Sequence, residues 1–530
     1  MEDNASSGGV DNAFAPDELD EPTYGQAQAI DVRELGEASR TFSWKKLWAF
    51  AGPGWLMSIA YLDPGNIESD LQTGAQTKYM LLWVLFWATF LGLVLQLLSA
   101  RLGVVTGKHL AQHCRTEYPD WARISLWLMT EFALIGSDIQ EVLGSAIAFN
   151  ILSDGAIPLW AGVIITAADC FSFLFLESFG IRKLETFFAV CLIVMAATFG
   201  QMYISTSPNQ LEVTKGTVIF DLDNKSFNVA VGMIGAVIMP HNIYLHSALV
   251  QSRKIDHGNT AAVKEADMYN KIESTVALFC SFIINLFVVS VFAHNFSEHG
   301  VYYEKHHEEF PDCFGENIGL LNTAGCFQDV VGNNNGSWIP MKYIWGFGLL
   351  AAGQTSTMTG TYAGQFVMQG FLDLKIKPWQ RVLLTRSVAL GPTLVVALTV
   401  DHATLDTANE WLNILQSVQL PFALVPVIYF TSQEQTMHSF VNSKVAKSTY
   451  AFISLLIVIV NIYLVLNGVD LTQPAQLVPT MFVGIMYVSF VGYLTIGPKQ
   501  ARAVWCKVTG KQPDEREDGY SQFSPIGGNM

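Results

Sequence analysis

From about residue 45 onward, long apolar stretches alternate with short polar links. A membrane crossing needs ~20 largely apolar residues, and about twelve stretches qualify. They begin near Trp48, Leu81, Ile124, Ile157, Phe187, Phe227, Val276, Ile339, Val382, Ala408, Thr449 and Leu477. This pattern predicts an all-α polytopic membrane protein. Residues 1–44 read as a disordered cytoplasmic tail, 45–498 as a transmembrane domain and 499–530 as a cytoplasmic C-terminal tail. Two stretches are interrupted by polar residues and helix breakers. The first contains Asp63-Pro-Gly-Asn66 and the sixth Met239-Pro-His-Asn242. Proline lacks the N–H of the helix ladder and glycine tolerates unwound dihedrals, so both helices should break and leave carbonyls free. Irregular backbone at membrane depth is tolerated only where protein or a water-filled cavity covers it. Broken helices five spans apart are the sequence signature of an inverted-repeat transporter with its site at the breaks. The plainer alternative is two kinked helices, and the shared polar pattern argues against it.

Composition agrees with this reading: 51% of residues are hydrophobic and only 14% charged, too apolar for an ordinary soluble globule. The formal charge of −16 speaks against a nucleic-acid partner. The first forty residues lack the apolar core of a signal peptide, so the first span should direct insertion. With the N-terminal tail in the cytoplasm, Arg115, Arg182, Lys183, Arg253, Lys254, Lys264, Lys271, Lys444 and others fall on the inner side. Few cations, among them Lys78, Lys215 and Lys342, fall outside. That asymmetry follows the positive-inside rule and puts both termini in the cytoplasm.

The longest polar link, about 296–337, is then extracytoplasmic. Asn335-Gly-Ser within it and Asn295-Phe-Ser at its membrane edge fit the glycosylation pattern. Cys313 and Cys326 share this loop on an oxidising face and are expected to pair. The other cysteines of the seven are scattered, mostly in apolar spans as small buried hydrophobes.

The chemistry at the breaks is specific. An intramembrane carboxylate is costly and functional by default, which singles out Asp63. Asn66 and freed carbonyls add hard oxygen, and Met239 adds a soft thioether that suits later divalent transition metals better than Ca²⁺ or Mg²⁺. A methionine is usually a gap-filler. Met239, however, holds the position before the break proline that Asp63 holds in the first break. Such a mixed set suits labile binding of Mn²⁺ or Fe²⁺. Asp138 and Glu141 lie three apart on the third span, with Glu131 seven before Asp138, so all three share one helical face. An acidic stripe cannot face lipid, and Arg386 in the ninth span is its natural counter-charge. A static buried ion pair is the alternative. His241 and His246 follow the second break. One of them is a packing residue, and His246 suits a pH-sensitive step.

The segments Asp63-Pro-Gly-Asn66 and Met239-Pro-His-Asn242, with Leu245-His246-Ser247, resemble those of the natural-resistance-associated macrophage protein family, the proton-coupled divalent metal transporters. The likeness extends through Gly353-Gln354, Gly364-Gln365 and Pro421-Phe-Ala-Leu424 and leans toward the animal members because of the long sequon-bearing loop. It implies a LeuT-like fold, with spans one to five and six to ten as inverted repeats and two further helices. It also implies metal ligands at Asp63, Asn66, Met239 and the Ala236 carbonyl, with Asn413 joining in an occluded state, and a proton route along Asp138, Glu141 and Arg386. No metal-site position departs from the family pattern, so its magnesium and aluminium branches are not expected. The expected activity is import of Mn²⁺ or Fe²⁺, with Cd²⁺ and Co²⁺, coupled to protons in a monomer with no resident cofactor.

Two other transport-related readings stay open: a Na⁺-driven LeuT-fold symporter of an organic solute and a non-transporting metal receptor. A substrate carboxylate would prefer a bare helix N-terminus to the fixed charge of Asp63, which disfavours the symporter. A metal hydrolase is excluded by the lack of a His-Glu-x-x-His or similar ligand set. Tyr520-Ser-Gln-Phe523 near the C-terminus resembles an endocytic sorting signal, suggesting plasma-membrane and endosomal–lysosomal residence.

Overall fold

The computed structural model describes residues 30–32, 42–177, 181–223, 226–332, 339–373, 378–399, 402–467 and 474–509. Each expected span is met by helix. The first is split into Pro53–Ile59 and Pro64–Thr77, preceded by a short helix Trp44–Phe50. Spans two to five are Leu82–Thr106, Asp120–Leu152, Leu159–Glu177 and Ile181–Thr206. The sixth is split into Phe227–Val237 and Pro240–Leu249. Thr260–Asn295, Met341–Leu372 and Pro378–Thr399 form spans seven to nine. The tenth divides into His402–Gln419 and Pro421–Thr431, and Lys444–Asn467 and Pro474–Ile496 complete the series. Eight helical segments among the described residues are by themselves long and apolar enough to cross a membrane.

The largest departure in boundary is the seventh span, which begins at Thr260 and not near Val276. Its first four turns are polar, and that hid them from a hydropathy reading. They hold the N-terminal end of the first span. Lys46 reaches Glu265 at 2.9 Å, and Glu273 accepts from the Gly52 and Gly54 amides at 2.5 and 3.0 Å. Arg253, whose side chain is 1% exposed, donates to the Ala49 carbonyl at 3.0 Å, to the Ala51 carbonyl, and to Glu185 at 2.8 Å. The segment between the first two helices is thus gripped through its carbonyls by arginine and through its amides by a carboxylate.

Another departure concerns the tail. Ile30–Asp31, expected to be disordered, pairs in parallel with Arg253–Lys254, and Val32 beside it is buried. The helix Pro498–Thr509 likewise continues past the twelfth span into the expected C-terminal tail.

The third and eighth spans form the central pair. Small residues let them approach, since a Cβ added at Gly353 would sit 2.3 Å from the Ser145 hydroxyl. Ion pairs gather at two opposite ends of the bundle. Arg115–Asp373 and Arg253–Glu185 lie at one end, Lys78–Glu212 and Lys342–Asp154 at the other. The Lys342 hydrogen bond holds the Asp154 carboxyl below its usual range.

Candidate metal site at the helix breaks

Each break is created by a proline at the first position of the second half-helix, where its missing N–H does no harm locally. The harm falls four residues back. Pro240 cannot donate to the Ala236 carbonyl and Pro64 cannot donate to that of Ala60, so both oxygens lose their helical partner. Asp63 is the cap of its half-helix and accepts from the Gly65 and Asn66 amides at 3.2 and 3.3 Å. The seventh span supports the unwound turn, with Asn285 donating to the Tyr61 carbonyl at 2.9 Å and Ser281 to that of Ser58 at 2.7 Å.

The two breaks meet at Asn66. Its amide nitrogen lies 2.5 Å from the Asp63 carboxylate and 2.9 Å from the freed Ala236 carbonyl, while its own oxygen has no hydrogen-bond partner among the described residues. All three groups are buried. Turning the amide over would put three oxygens around one point, an arrangement that needs a cation to hold it together. The residues present therefore fit a divalent ion as cargo.

Met239 occupies the cap position of the sixth span's second half-helix and is 2% exposed. Its sulfur lies 3.9 Å from the Ser137 hydroxyl. Asn413 is also buried at this level, with its amide 3.4 Å from the Gly65 carbonyl. Gln140 donates to Asn413 at 2.9 Å and accepts from Gln416 at 3.0 Å, so a chain of amides covers the first break. Ser137 and Gln140 were missed in the sequence reading, yet their spacing from Glu141 and Gly144 extends the same polar face.

Asp138 and Glu141 are buried together. Glu141 accepts from Ser137 at 2.9 Å, so one hydroxyl touches both the thioether and the acid pair. Span eight comes close enough that a Cβ at Gly360 would lie 3.0 Å from an oxygen of each acid. Glu131 stands apart, half-buried and bonded to Trp127 of its own helix at 2.8 Å. His241 and His246 are buried, and neither ring nitrogen of His246 has a partner among the described residues. The Arg386 side chain and Asn335 lie outside the described residues.

Asn295 corrects one expectation. It closes the seventh-span helix at 1% exposure with its amide 3.3 Å from Thr206, so its nitrogen is closed to a glycosylating enzyme. Cys313 and Cys326 are joined by a disulfide. The segment they enclose sits on the second half of the first span, Pro64–Thr77, where Gln72 donates to the Ile318 carbonyl at 2.6 Å and Leu320 to Glu68 at 3.1 Å.

A multi-span helical bundle with two broken helices whose unwound turns meet at one buried, oxygen-lined point is the architecture of an inverted-repeat membrane carrier. The family model described as natural resistance-associated macrophage protein-like matches residues 54–467, and the chain belongs to that family. It is 53% identical to metal transporter Nramp3.2 of Populus trichocarpa, over 86% of this chain and 87% of that one. It is 52% identical to the metal transporter nramp1 homolog of Dictyostelium discoideum, over 92% and 88%. These relatives are from plants and an amoeba, which corrects the expected leaning toward animal members. The crystal structure of the Eremococcus coleocola manganese transporter with an aromatic bis-isothiourea substituted compound matches at a TM-score of 0.72 and 29% identity, over 88% of this chain and 98% of that one. Mhp1, a nucleobase-cation-symport-1 family transporter, matches in fold at 0.53 and 15% identity, over 88% and 95%.

Proposed function

We propose that this protein carries divalent transition-metal ions, Mn²⁺ and Fe²⁺ first and Cd²⁺ and Co²⁺ with them, into the cytoplasm by alternating access, together with protons. The observation that carries this reading is the convergence of Asp63, Asn66 and the Ala236 carbonyl at the junction of the two breaks. Met239 supplies the soft ligand, and Asn413 joins from the tenth span as the site closes. A divalent ion there satisfies the lone oxygens that the breaks create, and Asp63 supplies the compensating charge. Inward opening requires release of the grip of Arg253 and Glu273 on the first span, and outward opening requires its outer half to part from its neighbours.

The proton route runs through Asp138 and Glu141, with Arg386 as their counter-charge and His246 on the sixth span. Ser137 supports a link between this route and the metal, because it touches both Glu141 and Met239. Glu131 lies at the far end of the route. The protein acts as a monomer with both termini cytoplasmic, in the plasma membrane or endosomal–lysosomal membranes. Its 296–337 loop faces outward and is glycosylated at Asn335. A Na⁺-driven symporter of an organic solute is disfavoured by the fixed charge of Asp63, which would repel a substrate carboxylate. The test is labelled Mn²⁺ uptake by proteoliposomes with and without an inward proton gradient. Uptake accelerated by the gradient supports the reading, and binding without uptake would make the protein a receptor.

A further inference from the structure

Asp63, Asn66, Asp70, Thr73 and Thr77 follow one another along the first span at spacings of three, four, three and four residues. At 3.6 residues per turn they fall within an arc of about 80°, a polar stripe running from the break to the outer end of the helix. All five are buried, Asp70 at 1% exposure. Neither oxygen of Asp70 nor the Thr73 hydroxyl has a hydrogen-bond partner among the described residues. The opposite side of the same helix contrasts with this. There Glu68, Gln72 and Gln76 bond to one another and to the disulfide-closed loop.

The neighbours define where the stripe looks. Asn66 meets Ala236 of the sixth span, and Gly74, just beyond the other edge, presses on Val289 of the seventh. The stripe therefore faces the seam between these two spans. One turn outward from Ala236 on the same helical face is Gly232, buried yet, among the described residues, with no atom of another element within 4 Å of where its Cβ would stand. The sixth span thus leaves open space one turn beyond its contact with Asn66. A bare carboxylate so buried costs several kcal/mol and calls for a positive charge.

We propose that Asp70 is a second cation site, a staging carboxylate about 10 Å outward of Asp63, which draws a divalent transition-metal ion from the outer side and passes it along Thr73 and Asn66 to the break. The proposal rests on the reading of this chain as a metal carrier. It assigns the stripe a direction: the ion is captured by the outer acid and held by the inner one.

The test uses the full chain in proteoliposomes, with Mn²⁺ titrated on the outer side, and calorimetry of Mn²⁺ binding to the purified protein. Asp70→Asn keeps the shape and removes the charge. A charge opposite in sign to the ion, set in a low-dielectric cleft, raises capture rates by ~10-fold or more, so without it the KM for external Mn²⁺ should rise by about that factor. The maximal rate and the tighter calorimetric affinity should move far less, and Asp70→Glu should restore the KM. An unchanged KM in Asp70→Asn overturns the proposal. So does an equal loss of calorimetric affinity, because Asp70 would then belong to the inner site or to the packing. If Asp70→Asn does not elute as a folded monodisperse protein, Thr73→Val replaces it, and a KM equal to the parent's overturns the proposal. Should the parent carry no Mn²⁺ at all, the carrier reading fails by itself. Calorimetry then decides on Asp70: a second, weaker Mn²⁺ event lost in Asp70→Asn supports the site, and its absence from the parent overturns it.

Discussion

Gly144 is one point at which the third span touches the first break, and replacing it with alanine should disturb the metal site without touching any ligand. A Cβ at Gly144 would lie 2.3 Å from Cβ of Pro64 and 2.5 Å from its Cγ. Carbon atoms settle at about 3.5–4.0 Å, so the shorter contact is too close by about 1.2–1.7 Å. The proline ring has no rotamer by which to withdraw, and it is fused to the backbone that carries Asp63. Either the third span backs away, which costs ~1–3 kcal/mol as overpacking, or Pro64 moves and takes the Asp63 cap with it. A misplacement of ~1 Å in a positioned group can cost ~100-fold in rate. Initial Mn²⁺ uptake by Gly144→Ala proteoliposomes should therefore fall by roughly 10- to 100-fold, with weaker calorimetric binding. Gly484→Ala, in the twelfth span with nothing within 4 Å, is the control and should behave as the parent. Parent-like uptake by Gly144→Ala would refute the packing argument.

Met239→Ala should weaken Cd²⁺ binding more than Mn²⁺ binding and let Ca²⁺ compete, because water would replace the soft sulfur. The check is labelled Mn²⁺ uptake under rising Ca²⁺, and competition no stronger than in the parent would reduce Met239 to packing. In Asp138→Asn, the acceleration of uptake by an acidic outer solution should be lost while calorimetric Mn²⁺ affinity is largely kept; equal loss of both would make the acid pair structural. Asn335→Gln should shift gel mobility of protein from a glycosylating cell and Asn295→Gln should not, since Asn295 is enclosed by the helix bundle.

Much of the fold was legible because lipid imposes length and apolarity on every span. The breaks were legible because Pro64 and Pro240 cannot be mistaken for helix interior. The Ala236 carbonyl came from the family resemblance, and the structure supplies its cause, since it lies four residues before Pro240. What remained hidden has physical reasons. The first turns of the seventh span are polar because they serve the N-terminal end of the first span, so hydropathy passed over them. Ser137 and Gln140 carry no charge, and a lone hydroxyl or amide in a span attracts no notice until a neighbour is placed beside it. Asp70 was hidden among the polar residues of a motif-rich helix, although its spacing of seven from Asp63 was there to be read. Asn295 fits its sequon perfectly well and fails only in three dimensions. Gly144 shows the limit of such reading, since nothing in one sequence says which glycine another helix will press against.

The central claim is that Asp63 is the charge that holds the metal. The direct measurement is Mn²⁺ calorimetry on the purified parent and Asp63→Asn proteins, paired with uptake of labelled Mn²⁺ by the same preparations in proteoliposomes. A carboxylate that compensates a divalent ion cannot be replaced by a neutral amide of the same size. Binding should weaken by at least ~10-fold and uptake should be abolished in Asp63→Asn, with the protein still monodisperse. An Asp63→Asn protein that binds and carries Mn²⁺ as the parent does would contradict the account.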